Sequence, residues 1–237
     1  MYFTPNAGIK IVGLIGAKRA GKSTTFDIIS KIFPANEIML AEKLKQVCLD
    51  VLCLSEDAYT NPDLEELPLP VPYMLLPIDI DYILRKFDIV DIDVIRLAQI
   101  KHNGMVLFSQ HRAAQYIGTE ILRDIDHGIH VRHALNATRT GVLNVVTDIR
   151  FPDELATFRE LFPTFKLIYV KRDSAEADAA SDTHVSEASL SKLVRYADTT
   201  IHNNGTWDDL PAEVVTRLLE IITPTFDAPH GAHRSVT

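Results

Sequence analysis

The chain is poor in sulfur, tryptophan and long apolar runs, and each shortage closes off a class of protein. Its 237 residues hold one tryptophan and two cysteines, Cys48 and Cys53, too few to staple a disulfide scaffold. The two lie five apart in a stretch that reads as helix, so their side chains diverge around it. Two reduced, partly buried thiols are expected, not a bridge. No apolar stretch approaches the roughly 20 residues that a membrane span needs. Residues 1–6 carry no basic segment leading into an apolar core, so no secretory leader is expected. A cytoplasmic protein with no membrane partner is the expectation. Cations are also scarce: 24 Lys and Arg face 32 Asp and Glu, for a net charge of −8. Duplex binding rests on neutralising phosphates, so a chain this acidic and without a basic run is not expected to bind nucleic acid.

What is present is ordinary for a globular protein, with 46% hydrophobic and 24% charged residues. The length allows a full core. Short apolar runs alternate with amphipathic stretches, which predicts an α/β fold with a mainly parallel sheet. Strands are expected at 9–15, 37–40, 142–147, 165–170 and 198–202. Helices are expected after residue 21 up to Pro34, over 41–54, in two pieces over 79–101, over 109–125, from Pro152, and over 207–222. Prolines at 62, 68, 70, 72 and 77, with acids crowding 56–66, read as an irregular lid rim. One domain over 1–223 follows, with its core in 8–54 and 109–223 and an insertion at about 55–108. Residues 173–184 read as a mobile loop and 224–237 as a disordered tail.

Residues Gly16-Ala17-Lys18-Arg19-Ala20-Gly21-Lys22-Ser23 spell G-x-x-x-x-G-K-[ST], between a β-branched apolar run and an amphipathic helix. Strand, glycine loop and helix form the context of a phosphate-binding P-loop. Its backbone N–H groups turn inward around a polyphosphate, and the helix N-terminus adds partial positive charge. The expected cradle is Lys18, Arg19, Ala20, Gly21, Lys22, Ser23 and Thr24. Lys22 is expected at the β- and γ-phosphates and the Ser23 hydroxyl on Mg²⁺.

Asp148 ends the apolar run 142–147 as a Walker-B acid does; it holds Mg²⁺ through water, orients a substrate, or caps a helix. Arg150 follows at the same strand end, where ligands of open α/β sheets bind. Arg112, Gln115, Gly118 and Thr119 share one helix face. Gly118 costs the helix about 1 kcal/mol against alanine, so a ligand or a second helix is expected to pack close there. His127, His130 and His133 lack a supporting acid or cysteine pattern and read as solvated. Asp148 lacks the glycine of D-x-x-G, and Val170-Lys171-Arg172-Asp173 lacks the leading residue of [NT]-K-x-D. A switch GTPase is therefore disfavoured.

Taken in order, several segments resemble the deoxynucleoside monophosphate kinases of tailed bacteriophages. They are the P-loop through Thr25, Leu40-Ala41 with Lys45, and Gln115 to Ile121 (Q-Y-I-G-T-E-I). Val145 to Arg150 (V-V-T-D-I-R) with Asp153-Glu154, Asp182 to Ala188 (D-T-H-V-S-E-A) and His202 to Thr206 (H-N-N-G-T) follow. Residues 55–108 fall outside the matching segments. The resemblance implies a three-layer P-loop kinase with a five-stranded, mainly parallel sheet and a helical lid. It implies transfer of the ATP γ-phosphoryl to a deoxynucleoside monophosphate with Mg²⁺, in nucleotide biosynthesis, and it is compatible with a homodimer. For a phage-encoded chain the compartment would be the host cytoplasm. It places Lys22, Arg112, Arg150 and Arg172 at the chemistry, and Asn203 and Gly205 beside the ATP adenine. Lys45, Arg112, Gln115, Gly118, Thr119, Asp148, Arg150 and Glu154 fall to the acceptor. Asp182, His184 and Glu187 look like lid residues. The P-loop half is shared with other small-molecule kinases, such as those acting on dephospho-coenzyme A, and with nucleotide-binding regulators.

Overall fold

A computed structural model describes residues 10–54, 68–175, 185–206 and 208–222. Its centre is a five-stranded sheet in the order β2-β5-β1-β6-β7, every neighbouring pair parallel. The strands are β1 (Lys10–Ile15), β2 (Ala35–Ile38), β5 (Leu143–Val146), β6 (Lys166–Lys171) and β7 (Thr199–His202). All five expected strands are present, with β2 two residues earlier than its pattern suggested.

Both faces are covered, because successive side chains of a strand point to opposite sides. On β1, Ile11 and Ile15 pack on one face with Val131, Phe158 and Leu193. Those come from α6 (Ile129–Ala134), α7 (Pro152–Leu161) and α8 (Val185–Val194). Val12 and Leu14 pack on the other with Ile29 and Val214, from α1 (Lys22–Ile32) and α9 (Asp209–Ile222). This is the three-layer P-loop α/β fold.

The insertion adds a third core. α2 (Glu42–Leu52) packs on α3 (Pro77–Lys86) and α5 (Gln110–Gln115), and α3 on α4 (Ile92–His102), in a core that includes Leu44, Val47, Ile80, Ile83, Ile95 and Ala113. Of the expected irregular 55–78, residues 55–67 lie outside the described residues, and the structure corrects the expectation for the rest. β3 (Pro68–Met74) pairs antiparallel with β4 (Val106–Ser109), and Pro77 opens α3 instead of breaking it. Prolines are tolerated because, among the described residues, β3 has a partner on one edge only. The helix expected over 109–125 is not uniform either: α5 passes into a π-helix at Tyr116–Arg123. No described helix is long and apolar enough to cross a membrane. Most of the expected mobile loop, Asp182 and His184, and the 224–237 tail lie outside the described residues, and the side chain of Glu187 lies outside them as well.

Candidate active site

The P-loop is set by two left-handed residues, Arg19 (φ 66°) and Gly21 (φ 103°), on either side of the buried Ala20. Ala20 N donates to Ala17 O at 3.1 Å to form the turn. Glycine is required at 21 because φ is positive and Asn203 Nδ2 occupies the space a Cβ would take. That amide donates to Ala20 O at 2.8 Å, while Asn203 N donates to Lys171 O at 2.8 Å. The end of β7 thus latches the loop to the end of β6. No side chain caps the start of α1 and no acid sits in its first turn, which leaves its N-terminal N–H groups to an anion. Lys22 Nζ donates to Gly16 O at 2.6 Å and Ala17 O at 3.0 Å, so the ammonium is held at the loop.

A groove of about 650 Å³ opens over this loop, within the range of small-ligand sites. Its walls are Arg19, Gly21, Lys22, Ser23 and Thr24, then Arg172 to Ser174 after β6, and Asn203 to Thr206 after β7. A reciprocal pair holds the last two walls together: Asp173 N donates to Asn204 Oδ1 at 2.9 Å, and Asn204 Nδ2 to Asp173 Oδ2 at 2.8 Å. Three cations line it, while its one acid, Asp173, is also engaged by Lys171 at 3.6 Å. The structure therefore brings together Arg19, Gly21, Lys22, Ser23, Thr24, Arg172, Asn203 and Gly205 of the sequence-predicted set. Lys18 and Ala20 belong to the loop but do not line the groove.

The residues expected at the acceptor divide into two groups. At the end of β5, Asp148 accepts Leu40 N on Oδ1 at 2.7 Å and Ala41 N on Oδ2 at 2.9 Å. Both oxygens are thus committed to the β2–α2 turn, and the carboxylate fits a latch better than a direct metal ligand. Ser23, exposed at the start of α1 in the groove wall, does suit Mg²⁺. Lys45 lies one turn into α2, half-buried, and the Arg150 side chain is exposed. On α5, Arg112 Nη1 donates to Gln115 Oε1 at 3.1 Å and Gln115 Nε2 meets His111 Nε2 at 2.5 Å. Thr119 is half-buried on the following π-helix. Gly118 serves packing: a Cβ there would come 2.7 Å from Leu44 Cδ2 of α2. The close approach of a second helix expected at Gly118 is present.

Glu154 faces inward and is 4% exposed. Its Oε2 accepts Arg150 N at 2.8 Å and Phe151 N at 3.0 Å, and its Oε1 meets Arg123 Nη1 at 3.2 Å. This corrects its expected place in the acceptor-contacting set, since no carboxylate oxygen is left pointing outward. Burial pushes its carboxyl from 4.5 up to about 7, against the pull of those two N–H groups and Arg123. The folded chain therefore binds this proton more tightly than the unfolded one. Glu154 contributes stability below about pH 4.5 that is lost as pH rises through 7, by roughly 3 kcal/mol in all. Relative to E154Q, which cannot titrate, the wild type should lose stability between pH 4.5 and 8 in paired urea melts. Parallel pH profiles would contradict this.

The histidine triplet is also corrected, since only His127 is solvated. His130 is 6% exposed, edge-on to Phe87, with Nε2 3.2 Å from Gly118 O. Lys43 Nζ can only donate, so His133 Nδ1 accepts from it at 2.8 Å, and His133 Nε2–H donates to Phe87 O at 3.0 Å. Burial lowers the pKa of both rings and of Lys43. Among the described residues no group of His, Cys, Asp and Glu could hold a metal ion.

Sequence reading missed Arg123, which is 8% exposed and donates to Asp153 Oδ2 at 2.6 Å as well as to Glu154. Its signal was a basic residue on an apolar helix, matched by two acids opening α7.

Known proteins are similar to this chain to different degrees. The chain is 24% identical over 221 residues to a protein of Acanthamoeba polyphaga mimivirus named provisionally as a deoxynucleotide monophosphate kinase, covering 87% of this chain and 94% of that one. A dephospho-CoA kinase from Campylobacter jejuni aligns in structure over 90% of this chain and 97% of its own, at 12% identity and a TM-score of 0.37. The model of the deoxynucleotide monophosphate kinase family matches residues 75–214. That match begins after the P-loop, so the two signals are independent, and it takes in much of the insertion that the resembling segments left out. With more than half its length inside that model, and the P-loop residues 16–23 preceding it, the chain belongs to the deoxynucleotide monophosphate kinase family.

Proposed function

We propose that this chain transfers the γ-phosphoryl group of ATP to a deoxynucleoside monophosphate, giving ADP and a deoxynucleoside diphosphate. The observation that carries the reading is the groove, where Arg19, Lys22 and Arg172 converge on an uncapped helix start in a chain of net charge −8. Family membership supports the choice of acceptor. The acceptor's phosphate has a second pKa near 6, so at pH 7 it is mostly a dianionic nucleophile and needs no general base. Catalysis then reduces to aligning two polyanions and neutralising charge in transit. Lys22 and the α1 amides take the donor phosphates, Arg172 leans over the transferred group, and Asn203 to Gly205 border the adenine. Lys45, Arg112 and Arg150 take the acceptor phosphate, with Gln115 and Thr119 beside its nucleoside. Mg²⁺ bound with ATP would be held by Ser23 and phosphate oxygens, and it supplies further charge neutralisation. Asp148 acts on the acceptor side through the β2–α2 turn.

The test is ADP release with MgATP alone and with each of the four common deoxynucleoside monophosphates. Slow hydrolysis alone and a rise of at least about 100-fold with one or more acceptors is expected. No rise with any of them, or a rise with dephospho-coenzyme A instead, would sink the reading.

A further inference from the structure

Arg150 has an exposed side chain on a tightly held backbone. Its amide donates to Glu154 Oε2 at 2.8 Å, and the Phe151 amide reaches the same oxygen at 3.0 Å. Glu154 Oε1 meets Arg123 Nη1 at 3.2 Å, and Arg123 Nη2 meets Asp153 Oδ2 at 2.6 Å. The Arg123 guanidinium also lies over the Phe151 ring, 3.9 Å from its centre. The peptide units on both sides of residue 150 are therefore fixed by one buried carboxylate. That carboxylate is fixed in turn by a guanidinium whose side chain is 9% exposed.

A buried ion pair is poor evidence for stability, since well-packed apolar residues in its place are often as stable or more so. What such a pair does supply is direction. This one sits behind the strand-end arginine and links it to the helix that carries Arg112 and Gln115, because Arg123 ends the π-helix that continues α5. We propose that Arg123 and Glu154 are positioning residues that aim Arg150 at the acceptor phosphate and couple its aim to the acceptor-side helix. The proposal rests on the phosphotransfer reading, and neither residue touches substrate. A misplacement of about 1 Å in such a group can cost on the order of 100-fold in rate.

The experiment is a double-mutant cycle on the full chain, with steady-state kinetics for ATP and for the preferred deoxynucleoside monophosphate. Glu154→Gln and Arg123→Met are each expected to lower kcat/KM for the acceptor by about 10- to 100-fold, with the KM for ATP within about twofold of wild type. Arg123→Lys, which keeps the charge without the two-pronged reach, should fall between wild type and Arg123→Met. Arg150→Ala alone should be damaging, and adding Glu154→Gln to it should cost nothing more, because the second residue acts only through the first. A purely structural role predicts multiplying losses and parallel damage to ATP kinetics, and either result overturns the proposal. Should Arg123→Met not fold, the cycle with Glu154→Gln decides alone. The reading beneath it fails separately: wild type would then show no acceptor-dependent ADP, or Arg150→Ala would leave an active enzyme unchanged.

Discussion

Lys22→Ala should lower acceptor-dependent ADP formation by about 1,000-fold and leave the fold intact. A unit charge 4 Å from a phosphate oxygen is worth about 4 kcal/mol at an effective dielectric near 20, and 1.4 kcal/mol is a factor of ten in rate. Nothing else on the loop supplies that charge at the same place. Arg19 adopts φ 66° and is exposed, and Arg172 stands on the opposite wall of the groove. The ammonium is poised by Gly16 O and Ala17 O, strong acceptors that keep it at the loop until a triphosphate competes for it. Truncation frees those two carbonyls to water and opens no core cavity, because Lys22 is half-exposed. Alanine is also the better helix former. The thermal midpoint should therefore stay within a few degrees of wild type. A variant within tenfold of wild-type turnover would remove Lys22 from the chemistry.

The P-loop was legible because its chemistry is contiguous: eight residues specify a turn, two left-handed positions and a helix start. The sheet was legible because β1, β5 and β6 are short apolar runs buried on both faces. Arg123 was not, and the reason is geometric. At 3.6 residues per turn, Arg123 lies about 240° around the helix from the buried Ile117, on the solvent side. Ile121, Leu122 and Arg123 are nevertheless buried in succession, so this end of the π-helix at Tyr116–Arg123 is covered on more than one face. No periodicity argument that assumes a single buried face could have found it. The hairpin was missed for a similar reason. Prolines at 68, 70 and 72 argue against an interior strand, yet among the described residues β3 is paired along one edge only, and a missing N–H on the other edge costs little. Glu154, expected at the acceptor, faces inward and holds backbone amides instead. A carboxylate in the first turn of the helix after β5 looks the same in sequence whether it faces a ligand or grips a backbone.

Asp148→Asn separates two roles that sequence alone leaves superimposed. If the carboxylate serves Mg²⁺, the variant should be rescued by excess Mg²⁺ and should weaken the nucleotide donor. The geometry argues otherwise, since Oδ1 accepts Leu40 N at 2.7 Å and Oδ2 accepts Ala41 N at 2.9 Å. Asparagine keeps one acceptor and turns its NH₂ against the other N–H. The exchange loses a charge-assisted bond worth about 1.5–3 kcal/mol and leaves a donor facing a donor. What moves is the turn that opens α2, and with it Lys45, one turn further along. The expected result is a fall in kcat/KM for the acceptor of about 10- to 100-fold, at unchanged KM for MgATP and an unchanged Mg²⁺ midpoint. A loss confined to Mg²⁺ dependence would return Asp148 to the metal. A loss confined to the acceptor makes the β5 terminus the part that sets α2, and through it the second nucleotide, against a P-loop that needs no help from it.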